Sequence, residues 1–303
     1  MIVCSLFDGM SCGQIAFQRA GINVDKYYAS EVDKYAIQIT QKNFPNTIQL
    51  GDIQKIKGSD LGHVDIVIGG SPCQGFSMSS NDKLNFNHPQ SKLFFEYVRL
   101  LDEIKPKYFL LENVIMEQRH KEVINYYMET LPYRINSNRV SAQSRDRLYW
   151  TNIPNITQPK DKKIMLDTIL QNDVELPVYS NIYGGYGELE PRIYMYKSPT
   201  LRAETEPPFA TKISKDKLTS EIKVEEILGA KRSGVDRDKI RLFTPIECER
   251  LQTVPDNYTE GVSNAQRVKM LGNGWTVSVI AGIFKNLKGN PQPLGKTKQL
   301  KLV

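Results

Sequence analysis

The sequence has few of the residues that build metal centres, disulfide frameworks or membrane spans. Only four cysteines and three histidines occur in 303 residues, and no two cysteines form a CxxC pair. This scarcity excludes a zinc-ribbon site and a disulfide scaffold, so we expect reduced thiols and no metal. Apolar runs stay far below the roughly 20 residues of a membrane span, and no basic leader with a cleavage site is visible. We therefore expect a cytoplasmic protein without membrane contact.

The charge balance is only slightly positive. The chain has 40 Lys and Arg against 34 Asp and Glu, a net charge of +6 at pH 7. This balance permits a polyanionic partner without demonstrating one. Residues 285–303 contain five lysines and no acid. They predict a flexible basic tail over 291–303, which either touches phosphates or serves as a solubilising terminus.

The first half of the chain alternates short apolar runs with amphipathic segments. Strands are predicted at 2–7, 26–30, 64–69 and 107–113, with helical spacing between them, and two further strands at 134–140 and 147–151. Alternation of strand and helix is typical of an α/β protein with a doubly wound, mostly parallel sheet. The sequence therefore predicts this fold class.

The composition changes after about residue 152, where Gly, Pro and Tyr accumulate. Residues 153–240 are too many for one loop and predict a second, smaller and irregular domain. A capping box from Thr244 to Glu247 predicts that a helix follows. We expect residues 1–152 and 241–290 to form one domain and 153–240 the other.

A glycine-containing turn, with Gly9 and Gly13, follows the first predicted strand. Doubly wound sheets bind adenosine-containing ligands at this place, but the spacing is neither GxGxxG nor a phosphate loop. Glu31 after the second strand can bind ribose hydroxyls, and Asp52 after the third can accept from an adenine amino group. Each acid is also an ordinary helix cap. Together they indicate a nucleoside ligand without phosphate, and hence S-adenosylmethionine.

A second group of residues indicates chemistry. The stretch "GGSPCQGFS" puts Cys73 on a loop after a buried strand, although most free cysteines are simply small buried hydrophobes. Glu112 and Asn113 end another strand, where a partly desolvated acid can hold a proton near neutral pH. Arg145 and Arg147 alternate, so both are predicted to project from one strand face toward an anion or carbonyl. The set provides a nucleophile, an acid and an electrostatic clamp.

Six motifs in one order make the sequence resemble the DNA cytosine-5 methyltransferases, apart from residues about 153–240. These are "FDGMSCG", "GGSPCQGFS", "ENV", "QSRDR", "TPIECERLQTVPDNY" and "MLGNGWTVSVI". The type looks bacterial or phage, with similarity to the animal de novo branch. The first motif departs from the closely spaced glycines of many bacterial members. The resemblance implies a Rossmann-like class I methyltransferase fold, with 153–240 as target recognition domain.

The resemblance also implies a mechanism. The Cys73 thiolate would add to C6 of a cytosine flipped out of the duplex, a motion that costs a few kcal/mol. Glu112 would hydrogen-bond N3 and the exocyclic amine. Arg147, supported by Arg145, would steady O2 and a nearby phosphate.

The remaining site residues implied by the resemblance fall into two groups. The cofactor contacts are Phe7, Asp8, Gly9, Ser11, Gly13, Glu31, Val32, Asp52, Ile53, Gly70, Pro72, Asn273, Trp275 and Thr276. The DNA contacts are Gln74, Ser77 and Arg202. S-adenosylhomocysteine would be the product and double-stranded DNA the partner. A cognate restriction endonuclease is a candidate partner, and the default oligomeric state is a monomer.

Three alternatives remain open at this stage. One is a tRNA cytosine-5 methyltransferase, although such enzymes usually have a Pro-Pro-Cys loop and Ser71 precedes Pro72 here. Another is a catalytically silent DNA-binding regulator, which the intact Cys73, Glu112 and arginines oppose. A nicotinamide oxidoreductase is disfavoured by the glycine spacing.

Overall fold

The structure is a computed structural model that describes residues 1–72, 89–171, 175–180, 192–203, 207–211 and 240–294. The chain divides into two compact units. The first unit comprises Met1–Asn136, Asp146–Pro159 and Val277–Val303, and the second comprises Ser137–Arg145 and Lys160–Thr276. Each unit has its own sheet, so each is described separately.

The first unit contains a seven-stranded sheet. Its strands are β1 (Ile2–Leu6), β2 (Lys26–Ser30), β3 (Ile48–Gln49), β4 (Ile66–Gly70), β5 (Tyr108–Val114), β6 (Tyr133–Asn136) and β7 (Asp146–Thr151). They lie in the order β3-β2-β1-β4-β5-β7-β6. The pairs among β1 to β5 are parallel, whereas β7 runs antiparallel to both β5 and β6. The carboxyl ends of β1, β2, β4 and β5 therefore meet at one edge of the sheet.

Helices pack against this sheet, and its strands are therefore largely buried. They are α1 (Cys12–Ala20), α2 (Lys34–Asn43), α3 (Pro89–Ile104), α4 (Gln118–Met128) and α7 (Val277–Phe284). One core cluster joins α3 and α4 to alternate strand residues, among them Leu6, Val67 and Trp150. The stacked rings of Phe17 and Phe284, 4.2 Å apart, join α1 to α7. The last helix thus completes the unit that the first strand begins.

The second unit has a four-stranded antiparallel sheet. Its strands are β8 (Glu175–Ser180), β9 (Arg192–Tyr194), β10 (Phe209–Thr211) and β11 (Ile240–Leu242), in the order β11-β10-β8-β9. Helices α5 (Pro245–Leu251) and α6 (Asn264–Asn273) follow. The predicted capping box is confirmed: Thr244 and Glu247 each accept from the other's backbone N–H.

The predicted α/β fold class with a mostly parallel sheet is confirmed. The second unit includes residues 137–145 and 241–276 in addition to 160–240. The role of 153–240 in target recognition stays a prediction. The predicted tail at 291–303 lies outside the described residues from 295 on.

Candidate active site

A tight turn at residues 7–11 joins β1 to α1. Three of its residues are left-handed: Phe7 at φ 58°, Gly9 at φ 60° and Ser11 at φ 59°. A left-handed conformation is unfavourable for any residue with a Cβ atom, so it must be stabilised locally at two of these positions. A Cβ on Gly9 would meet no atom within 4 Å, which shows that this side of the turn is open. Gly13 is buried in the first turn of α1.

Asp8 stabilises this turn from within. Its carboxylate accepts hydrogen bonds from the Ser11 hydroxyl and, at 2.7 Å, from the Tyr27 hydroxyl on β2. Its backbone N–H donates to the Ser30 carbonyl at 3.0 Å. Burial raises the pKa of Asp8 to about 6, an effect that these hydrogen bonds reduce and the charge of Glu31 increases. Asp8 therefore belongs to the turn's own framework.

Glu31 links the turn to the end of β2. One carboxylate oxygen accepts from the Gly9 N–H at 2.7 Å, and the other accepts from the N–H groups of Val32 and Asp33 at 2.7 and 2.8 Å. The side chain of Val32, the next residue, is 71% exposed. An acidic acceptor and an uncovered apolar surface thus lie side by side.

Asp52 lies three residues after the short strand β3. It caps a three-residue 3₁₀ helix, Ile53–Lys55, by accepting from the Gln54 N–H at 3.0 Å. Ile53 is buried in the core of the first unit. The capping role anticipated for Asp52 is therefore present, and it fixes the carboxylate next to the sheet edge.

The neighbouring ends of β4 and β5 place the base of the cysteine loop, at Gly70, next to Glu112. In the parallel register Gly70 pairs with Glu112. The Asn113 amide donates to the Ser71 hydroxyl at 3.1 Å, in a buried contact that fixes the residue before Pro72. Cys73, Gln74 and Ser77 lie outside the described residues. The structure therefore defines the base of the loop at Gly70, Ser71 and Pro72, directly ahead of the predicted nucleophile.

Glu112 and Arg147 form the charged centre of this edge. The Arg147 Nε lies 2.9 Å from a Glu112 carboxylate oxygen, and both side chains are almost buried, with 13% and 11% exposed. Arg147 also donates to the Asp146 carbonyl at 2.8 Å. An ion pair in such surroundings is much less screened than a surface pair. This pair places a carboxylate and a guanidinium together near Gly70, at the base of the cysteine loop.

Arg145 does not join this pair, so the expectation that both arginines project from one strand face is wrong. Strand β7 begins only at Asp146. The Arg145 guanidinium is buried and donates to the carbonyls of Leu201, Gly272 and Gly274 at 3.0, 3.1 and 3.2 Å. Arg145 and these three carbonyls all belong to the second unit.

Gln143 forms a second hydrogen bond with Leu201. Its side-chain oxygen accepts from the Leu201 N–H at 3.0 Å, while Arg145 binds the Leu201 carbonyl. A Cβ on Gly272 would lie 2.4 Å from backbone atoms of Arg202 and Ala203, so only glycine permits this approach. Arg202, a predicted DNA contact, is exposed on the segment that is held in this way.

The last three predicted cofactor contacts, Asn273, Trp275 and Thr276, all belong to the second unit. Asn273 is exposed at the end of α6, and Trp275 is half-buried. Thr276 is buried and donates to the Gln252 side chain at 2.9 Å. The chain crosses from the second unit to the first directly after Thr276.

The other cysteines do not compete for a nucleophilic role. Cys4, Cys12 and Cys248 are free thiols with at most 3% exposed. Burial raises the pKa of Cys4 to about 12 and raises that of Cys248 still further. Such thiols are protonated and unreactive at neutral pH.

Comparison with known proteins decides the family. The profile of the C-5 cytosine-specific DNA methylases matches residues 1–175 and 180–289. The chain belongs to the C-5 cytosine-specific DNA methylase family. It is a DNA cytosine-5 methyltransferase.

Individual relatives of this methyltransferase agree with the family. It is 29% identical to the Type II methyltransferase M.NlaX of Neisseria lactamica, covering 94% of this chain and 96% of that protein. It is also 29% identical to the Type II methyltransferase M1.ScrFI of Lactococcus lactis subsp. cremoris, over 93% of this chain and 76% of the relative.

Solved structures show the same fold. A variant of Spodoptera frugiperda DNMT2 superimposes with a TM-score of 0.71 at 21% identity, over 95% of this chain and 100% of that one. The Entamoeba histolytica methyltransferase EhMeth gives 0.71 at 20% identity, over 95% and 97%. At these identities the likeness concerns the fold alone.

Sequence reasoning about the methyltransferase missed three roles. Asn113 was noticed only as the neighbour of Glu112, whereas it holds Ser71. Gln143 was read only as part of a motif, and Tyr27 was not considered. The signal for Tyr27 was a polar aromatic residue inside a buried strand, since a buried Tyr hydroxyl usually has a hydrogen-bond partner.

Two further findings concern the described residues of the methyltransferase. Among them, no cluster of three or more His, Cys, Asp or Glu side chains is arranged to hold a metal ion. Within the same part of the chain, every helix is too short or too polar to cross a bilayer.

Proposed function

We propose that the methyltransferase acts on cytosine in double-stranded DNA, with S-adenosylmethionine as methyl donor and Cys73 as covalent nucleophile. The observation that carries this assignment is the Glu112–Arg147 pair. It lies at the end of β5, and the neighbouring Asn113 anchors the loop that leads to Cys73.

Glu112 and Arg147 together present a surface complementary to one edge of cytosine. Carboxylate oxygens accept from an amine or from a protonated ring nitrogen, and a guanidinium donates to a carbonyl oxygen. Cytosine has N3 between its exocyclic amine and O2. We assign N3 and the amine to Glu112 and O2 to Arg147. The 2.9 Å contact between the two side chains keeps both groups oriented before a base enters.

Cys73 supplies the covalent step in this scheme. Its thiolate adds to C6 and forms the S–C6 bond, while the electron pair of the C5=C6 bond moves into the ring toward N3 and O2, the two atoms assigned to Glu112 and Arg147. C5 becomes nucleophilic and would form the new bond to the methyl carbon of the donor, while the S–CH3 bond breaks with its electron pair left on sulfur, so that S-adenosylhomocysteine is the leaving group. Loss of the C5 proton to water or hydroxide then expels Cys73 as thiolate and restores the double bond.

The residues at the β1 and β2 ends fit S-adenosylmethionine. The turn is open at Gly9, Glu31 offers carboxylate oxygens for ribose hydroxyls, and Val32 offers an apolar surface for adenine. Lys and Arg are absent from the 7–13 turn, which suits a nucleoside without phosphate better than a nucleotide. When bound, the sulfonium cofactor supplies an electrophilic methyl group. Asp52 is the proposed acceptor for the adenine amine.

The target must leave the helix for this geometry to operate, because C6 is stacked inside duplex DNA. We propose that residues 153–240, including Arg202, contribute to DNA contact. The backbone before Arg202 is held in place for such a role, because Gln143 and Arg145 bind the N–H and the carbonyl of Leu201. Gln74 and Ser77 of the cysteine loop are proposed to contact DNA as well.

The test of the activity uses tritiated S-adenosylmethionine with mixed-sequence duplex DNA and, in parallel, tRNA. Label in the duplex, with bisulfite-protected cytosines in one recurring context, is the expected result. Label in tRNA alone would refute the duplex assignment. Duplex binding without transfer to either substrate would instead identify a silent DNA-binding relative.

The test of the residues uses Cys73→Ala and Glu112→Gln. Cys73→Ala should abolish transfer and leave duplex affinity within about twofold, because the thiol makes a bond and does not dock the DNA. Glu112→Gln should lower turnover by about 100-fold or more with unchanged cofactor affinity. The matched control is Glu117→Gln, five residues further along the chain, whose carboxylate is 49% exposed. Equal turnover in both glutamine variants would remove Glu112 from the mechanism.

A further inference from the structure

The turn between β1 and α1 combines two unfavourable backbone conformations with one partly buried acid, Asp8. Phe7 and Ser11 are left-handed at φ 58° and 59°, a conformation that is unfavourable for a residue with a Cβ. Such conformations persist only where surrounding contacts enforce them. Asp8 lies between the two residues and contacts Ser11 directly. Its contacts therefore help to hold the turn, together with the hydrogen bond from the Gly9 N–H to Glu31.

The hydrogen-bond pattern around Asp8 suits the ionised carboxylate. The Ser11 hydroxyl donates to Asp8 and accepts from Thr40 and Gln14 at 3.2 and 3.3 Å. The Thr40 hydroxyl also lies 3.3 Å from the Gly9 carbonyl, so its single proton is divided between two acceptors. An ionised Asp8 accepts from both the Ser11 and the Tyr27 hydroxyl, whereas a protonated Asp8 is itself a donor and needs an acceptor of its own. Proton uptake by Asp8 therefore requires these hydrogen bonds, which tie the turn to α1 and β2, to rearrange.

Mild acid is sufficient to protonate this group. Burial raises the pKa of Asp8 to about 6 and Glu31 raises it further, while hydrogen bonds from Ser11, Ser5 and Tyr27 lower it. Cys4, which also faces Asp8, remains a neutral thiol because its own pKa is raised to about 12. Desolvation thus raises the pKa of Asp8 most, and the hydroxyl groups and Glu31 adjust it.

We propose that Asp8 and Tyr27 are positioning residues for the cofactor turn, and that the turn binds its nucleoside ligand only while Asp8 is ionised. This inference rests on the proposed function, because it assigns a regulation to the cofactor site. Cofactor affinity is then coupled to pH. One unit below the midpoint about a tenth of Asp8 is ionised, so the apparent Kd is about tenfold higher.

Calorimetric titration with S-adenosylhomocysteine between pH 5 and pH 8 tests this coupling. For the native protein we expect a constant Kd at high pH and a rise of about tenfold per unit below the midpoint near pH 6. Asp8→Asn has no carboxyl to titrate, so this rise should disappear. Tyr27→Phe removes a hydrogen bond that lowers the pKa of Asp8, so its midpoint should move to higher pH.

The matched control is Tyr28→Phe. Tyr28 neighbours Tyr27 on β2, but its hydroxyl donates to the Leu61 carbonyl at 3.2 Å, away from the turn. Its midpoint should equal that of the native protein. A purely structural role for Tyr27 would weaken binding equally at every pH and leave the midpoint in place.

Two results would overturn the inference. One is an unshifted midpoint in Tyr27→Phe, and the other is an unchanged pH dependence in Asp8→Asn. If Asp8→Asn fails to fold, the comparison of Tyr27→Phe with Tyr28→Phe decides alone. Absence of binding by the native protein at pH 8 would refute the cofactor assignment itself, which separates that failure from a failure of the pH coupling.

Discussion

Arg145→Lys tests directly whether Arg145 stabilises the fold while Arg147 takes part in the reaction. Arg145 holds three carbonyls with one planar guanidinium, at 3.0, 3.1 and 3.2 Å. A lysine ammonium is a point donor on a flexible stem and cannot span three acceptors in this arrangement. If lysine keeps one of the three bonds, two charged hydrogen bonds are lost at about 1.5 kcal/mol or more each, or about 3 kcal/mol together.

The assay compares thermal unfolding and turnover of three variants. For Arg145→Lys, about 3 kcal/mol corresponds to a fall of roughly 5 °C in the melting temperature of a 303-residue chain. Turnover measured well below that temperature should stay within about twofold of native. Arg147→Lys keeps its charge beside Glu112, so it should melt close to native but lose turnover on the order of tenfold to a hundredfold. Arg134→Lys, at a side chain that is 68% exposed, is the control and should change neither quantity.

One result would refute this reasoning. If Arg145→Lys melts like the native protein but loses turnover, its guanidinium contributes to the reaction and the contacts with Leu201 and Gly272 are secondary. The original interpretation of a paired arginine clamp would then be restored.

Three further predictions concern packing, backbone strain and thiol chemistry. Gly272→Ala should destabilise by about 1–3 kcal/mol in urea unfolding because backbone lies 2.4 Å from the new methyl group. Gly282→Ala, with no atom within 4 Å, should stabilise helix α7 by about 0.5–1 kcal/mol, and equal effects would contradict the close approach. Ser11→Gly should be about 1 kcal/mol more stable than Ser11→Ala, since both lose the hydroxyl and only glycine favours φ 59°. A thiol reagent should modify one cysteine rapidly in the native protein and none in Cys73→Ser, because the three described cysteines are at most 3% exposed; rapid modification of the variant would contradict it.

Sequence patterns were sufficient for most of the first unit because its elements are defined by local periodicity. The predicted strand at 26–30 coincides with β2, and those at 64–69 and 107–113 differ from β4 and β5 by one or two residues at their ends. The direction of β7 was not predicted, since pairing direction depends on partners distant in sequence. The antiparallel sheet of the second unit was also missed, because its strands are short and separated by long Gly- and Pro-containing segments.

The site shows a similar limit. Glu112 and Arg147 were predicted separately, and their contact depends on the antiparallel pairing of β5 with β7. Arg145 is two residues from Arg147 in sequence and has a different environment, because the strand begins between them. An alternating pattern predicts a shared face only inside one strand, so it failed at a strand end. The hydrogen bonds from the Ser11 and Tyr27 hydroxyls to Asp8 were not predicted, because sequence does not show which hydroxyls lie beside a carboxylate; its role as a cofactor contact stays a prediction.

The hydrogen bonds that Gln143 and Arg145 form with Leu201 have a consequence for engineering the segment that is proposed to contact DNA. Gln143 and Arg145 fix the chain just before residue 204, and the Arg241–Glu247 pair, at 2.8 Å, fixes it again just after residue 240. The contacts that fix both ends of this segment are thus made by residues outside it. Exchange of 204–240 for the equivalent stretch of a relative would leave both junctions intact. Such chimaeras would test the proposal that this part of the chain contributes to DNA contact.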